Sequence, residues 1–62
     1  MNNYVAIVLD YYLYAIESGV PGSEAEDMAS EYLKRCRDKM TTDEEYVTRG
    51  IIARIAHKLP EV

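Results

Sequence analysis

Phenylalanine and tryptophan are absent from this chain, and cysteine and histidine occur once each. A single cysteine, Cys36, excludes an internal disulfide framework and points to a reducing compartment, so the expected location is the cytoplasm. One cysteine and one histidine on separate segments cannot supply the paired spacings of a zinc site. The acidic run Asp43-Glu44-Glu45 lacks the alternation and central glycine of a calcium loop, and reads as favourable charge at a helix start. No phosphate-cradling glycine loop or catalytic motif is present, so no cofactor and no metal are expected. Long apolar runs are missing too. The stretch from Tyr4 is interrupted at Asp10, and even its extension to Ile16 is too short to span a bilayer. No basic segment precedes it, which makes it a poor signal peptide. No membrane partner is expected.

Positive charge is scarce. Seven Lys and Arg stand against eleven Asp and Glu, a net charge of −4. Nucleic-acid binders usually carry a strongly basic footprint, so this balance argues against that class. It is compatible with a basic protein surface as partner. The 62 residues make room for one domain, residues 1–62. Chains of this size bury only about 60% of their unfolded surface, so well-formed helices, a partner or a second copy must support the core.

The few glycines and prolines punctuate three helices, expected near 4–17, 24–40 and 43–59. Asn2 or Asn3 can cap the first. Ser18-Gly19-Val20-Pro21-Gly22 ends it, because Gly19 can take the left-handed conformation and Pro21 cannot continue a helix. Ser23 and Glu26 have capping-box spacing before the second helix. Thr42 and Glu45 have it before the third, with Thr41 and Glu44 as the alternative register. Acidic residues precede basic ones along the second helix, which suits the helix dipole, and Glu31 and Arg35 are spaced as an i,i+4 pair. Pro60 marks the last stop, and Gly50 lies inside the third helix. The β-branched residues from Val5 to Leu9 find no partner strand, so the fold class is an all-α three-helix bundle with short turns.

Helical periodicity then sorts the faces. The second helix has one apolar arc of Ala25, Met28, Ala29, Tyr32, Leu33, Cys36 and Met40. The third has Val47, Ile51, Ile52, Ile55 and Leu59, with a weaker stripe of Tyr46, Gly50, Ala53 and His57 flanked by Arg49 and Arg54. The first offers Val5, Val8, Leu9, Tyr12, Leu13 and Ile16. Leu9, Leu13, Ile16, Tyr32, Leu33, Ile52 and Ile55 are expected to be largely buried. A second stripe on the first helix, Tyr4, Ile7, Tyr11 and Tyr14, exceeds what one core face can use.

That surplus carries the functional expectation. Tyrosine joins an apolar ring to a polar tip and is enriched at protein interfaces. The expected partner site is Tyr4, Ile7, Tyr11 and Tyr14, with the acidic cluster Glu24, Glu26, Asp27 and Glu31. The chain reads as a non-enzymatic protein-binding module, a regulator or inhibitor that docks on a larger protein. Cys36 sits on an apolar arc away from the sole histidine, and three short helices leave little room for a catalytic cleft. One alternative is self-association, a homodimer through the first helix. Another is helix-turn-helix DNA binding through Arg49, Arg54, His57 and Lys58, opposed by the acidic start of that helix. In size and composition the chain resembles the small acidic accessory proteins of bacteriophages and mobile elements. That resemblance implies inhibition of a host factor or defence system.

Overall fold

The computed structural model describes residues 3–59. It is an all-α three-helix bundle. Its helices are α1 (Asn3–Glu17), α2 (Gly22–Arg35) and α3 (Thr42–Lys58), with a short 3₁₀ turn over Arg37–Lys39. Each helix packs on both others, in a body of 34 × 17 × 17 Å. Among the described residues there is no strand. Asn2 and Pro60, read above as a cap and a stop, lie outside the described residues.

α1 ends as its glycine requires. Gly19 has φ +92°, and the bonds Gly19 N–H to Ile16 O (3.0 Å) and Val20 N–H to Ala15 O (3.1 Å) close a Schellman motif. Val20 folds back against the core beside Ala15. The start of α2 differs from expectation. Pro21 is its N-cap, without a side-chain cap, so Ser23 and Glu26 form no capping box. The helix begins earlier, at Gly22, and the Pro21 carbonyl accepts its first backbone bond from Ala25 N–H at 2.8 Å. Gly22 packs close to the end of α3: a Cβ there would meet Leu59 Cδ1 at 3.2 Å, and that side chain would have to shift by a few tenths of an ångström.

α2 also stops sooner, at Arg35 rather than Met40. Cys36 N–H is shared between Tyr32 O (3.2 Å) and Leu33 O (3.0 Å), and the chain tightens into the 3₁₀ turn. Cys36 and Met40 still reach the core from that turn, which is why the apolar spacing reads through it. α3 takes the alternative register. Thr41 Oγ1 accepts from Glu44 N–H at 3.1 Å, and Glu44 Oε1 accepts from Thr41 N–H at 2.8 Å. Thr42 is the first helical residue, and Glu45 is engaged elsewhere, by Arg37 and Arg49 at 3.2 Å each.

The core joins Val8, Tyr12, Ala15, Ala25, Ala29, Leu33, Cys36 and Ile52. Of the seven expected core residues, Leu33 and Ile52 are buried, and Leu9, Ile16, Tyr32 and Ile55 pack against them half-buried. Leu13 does not: it is 42% exposed. The buried line on α1 runs Val5, Val8, Tyr12, Ala15, and Leu13 stands about 100° round the helix from Tyr12. Val47 is likewise displaced, at 51% exposed. The inner line of α3 is Thr48, Ile52, Ile55, and the polar Thr48 can join it because its hydroxyl donates to Glu44 O at 2.7 Å. A buried hydroxyl satisfied within its own helix leaves its methyl free to pack.

The observed cap predicts that Thr41→Ala lowers stability by about 0.5–2 kcal/mol. Thr42→Ala, inside the helix, should change it by less than about 0.5 kcal/mol. Urea midpoints of the two variants decide the register.

Candidate functional site

The surface between α1 and α2 holds the candidate site. Tyr11 of α1 lies on Tyr32 of α2, ring centroids 4.7 Å apart and planes tilted by 35°. Tilted pairs at this distance are favourable for the ring quadrupoles. The pair closes one side of an open groove of about 320 Å³, lined by Tyr11, Glu24, Asp27, Met28, Glu31, Tyr32 and Arg35, mainly through apolar atoms. That volume is at the low end of the roughly 300–1,000 Å³ of small-molecule sites. It has room for a large side chain or two.

Local sequence explains each position. Glu24, Asp27 and Glu31 are spaced i, i+3, i+7 and so form one row along α2. Met28, Tyr32 and Arg35 form the next row, and the bulk of Met28 and Tyr32 leans over the core edge. Three carboxylates face one guanidinium, so the rim is acidic. Glu31 pairs with Lys34 at 3.4 Å rather than with Arg35; both side chains are well exposed. Such a pair contributes about 0–1 kcal/mol.

The structure brings together half of the expected site. Tyr11, Glu24, Asp27 and Glu31 share the groove. Ile7 and Tyr14 lie about 40–60° further round α1 from Tyr11, and both are exposed, Tyr14 at 69%. Tyr4 is at the exposed end of the same stripe. Glu26 does not belong to this surface. It stands about 200° from Glu24 round α2, near Tyr12, whose phenol feels its charge. Sequence reasoning missed Met28, Tyr32 and Arg35 as groove residues, because the apolar arc of α2 assigned the first two to the core. The second stripe on α3, Tyr46, Gly50, Ala53 and His57, is exposed along its length.

Tyr12 is a titratable group whose environment stands out. Its side chain is 0% exposed, and its hydroxyl meets no hydrogen-bond partner among the described residues. Burial, and secondarily the Glu26 carboxylate, hold its phenol above the ordinary value of 10.0. It belongs to the core. Among the described residues no three of His, Cys, Asp and Glu come together to hold a metal ion, and no helix is long and apolar enough to cross a membrane. Comparison of the chain with protein-family models, curated proteins and solved structures gives no match.

An unpaired buried hydroxyl is unfavourable, so Tyr12→Phe should raise stability by about 1 kcal/mol, which is about 4–8 °C in Tm. The raised pKa adds a pH signature. The neutral phenol is favoured in the folded state, so its contribution is complete below pH 10.0 and declines as pH rises through the folded value. Stability of the parent should therefore fall more steeply than that of Tyr12→Phe above pH 10.0, as read from melts across that range.

Proposed function

We propose that this protein is a non-enzymatic docking module that acts by binding a larger protein through the face shared by α1 and α2. The observation that carries the reading is the meeting of the tyrosine stripe with the acidic row: Tyr11 enters the same groove as Glu24, Asp27 and Glu31. An apolar, aromatic floor inside a charged rim is the usual anatomy of a protein interface. Ile7 and Tyr14 extend it with exposed apolar surface that the bundle does not use. Regulation or inhibition suits its size: a bundle this small can act by occupying a surface. The resemblance to bacteriophage accessory proteins supports a host factor or defence system as the target class.

DNA binding is the weaker reading. The first turn of α3 holds Asp43, Glu44 and Glu45, and Arg49 is already paired with Glu45 at 3.2 Å. Self-association through α1 is favoured by one observation, the exposure of Ile7 and Leu13 on the two flanks of the same helix.

Tyr14 is the residue of choice for the test, since it is exposed. Tyr11 stacks on Tyr32, so its removal should also cost about 0.5–1.5 kcal/mol of stability. Immobilised parent, Tyr14→Ala and Glu24→Lys/Asp27→Lys proteins are compared in extract from the native host. A protein retained by the parent, and lost from both variants while both remain folded, is the expected result; Tyr14→Ala should keep the parent's Tm, and the charge reversal should lower it slightly through the α2 dipole. Equal retention by all three contradicts the reading. Sedimentation of the parent from micromolar to millimolar concentration reads self-association separately.

A further inference from the structure

We infer that the α1–α2 groove receives a basic amphipathic helix of the partner protein, lying along α2 as a fourth helix. The inference rests on the docking reading and names the chemistry of what docks.

The groove's shape supports a helix. α1 and α2 are adjacent helices joined by a short turn, α3 packs on both, and the groove lies along α2 with Tyr11 of α1 at its edge. A helix laid along it completes a four-helix arrangement, with its apolar residues entering beside Tyr11. Met28, Tyr11 and Tyr32 offer that apolar contact. Continuing outward on α1, Ile7 and Tyr14 are exposed on the side where such a helix would rest. A volume of about 320 Å³ takes the anchors of a helix face, not a folded domain.

Charge complementarity selects the sign. Glu24, Asp27 and Glu31 form a row about 10.5 Å long, from seven residues at 1.5 Å rise. Lysines or arginines at i, i+3 or i+4, and i+7 of a neighbouring helix repeat at the same pitch. Arg35 stands at the far end of the groove, after the three carboxylates. An acidic side chain beyond the partner's basic row would meet it, so the charge order also sets direction.

The test uses a synthetic helical peptide of about 18 residues, long enough to hold helix in water. It carries leucines on one face, lysines and arginines in the flanking row, and one glutamate placed for Arg35. A neutral version replaces the basic residues with glutamine, and an acidic version with glutamate. Binding to the full 62-residue chain is followed by amide and methyl chemical shifts. The expected result is saturable perturbation at Tyr11, Met28, Glu31 and Tyr32 by the basic peptide. The neutral peptide should bind about tenfold or more weakly. Asp27→Asn/Glu31→Gln should remove most of that difference while Tm stays unchanged, and raised salt should shrink it. Equal binding of the basic and acidic peptides overturns the inference, as does perturbation confined to α3. If the parent alone shows concentration-dependent shifts at the groove, a second copy is the occupant and the basic helix is rejected. If no peptide binds while Tyr14→Ala still loses the host protein, docking stands and the basic helix falls.

Discussion

The fold depends on seating one large ring among small side chains. Tyr12 is fully buried in a cluster that includes Ala15, Ala25 and Ala29, and both α2 alanines are inaccessible. Alanines one turn apart on α2 leave space for the Tyr12 ring in the shared cluster. Leu33 and Ile52 close the cluster from α2 and α3. The tyrosine hydroxyl is carried into this site without a partner among the described residues, so the ring's burial outweighs an unpaired polar atom. The chain holds no phenylalanine or tryptophan, so a tyrosine takes the aromatic place.

That seating fixes what is left over. Once Val5, Val8, Tyr12 and Ala15 define the inner line of α1, Tyr11 falls at the edge and Ile7 and Tyr14 fall outside. Tyr11 finds Tyr32 at the same edge of α2, and the acidic row lies immediately beyond. The core and the proposed docking face are therefore two consequences of one rotation of α1. The same logic applies to α3, where the inward turn of Thr48 moves Val47 to the surface.

Fold class and connections were legible because they follow from local chemistry. Gly19 and Pro21 act through their own backbones, and the alternating arc of α2 has a charged opposite face. Caps were less legible, because spacing alone fits several registers. Thr41 and Thr42 each have a glutamate three residues on, and only the structure shows Glu45 drawn to Arg37 and Arg49. Ser23 and Glu26 match a box, but the helix already begins at Gly22 and both lie inside it. Leu13 and Val47 were misplaced because a helix rich in apolar residues does not state which of its faces is innermost. Half of the candidate site, the sharing of one groove by Tyr11 and the α2 carboxylate row, is a tertiary fact with no local signal. Glu26 was grouped with that row by sequence proximity, although helix geometry sends it to the other side.

Solvent relaxation of the tyrosine rings tests the rotation of α1 most directly. Ring protons of all six tyrosines are assigned, and their relaxation by a soluble gadolinium complex is measured on dilute protein. Tyr12 should be relaxed least, Tyr11 and Tyr32 to an intermediate degree, and Tyr14 and Tyr46 most. A Tyr12 ring relaxed as strongly as that of Tyr14 would contradict the account, because the core line and the docking face would then have been exchanged.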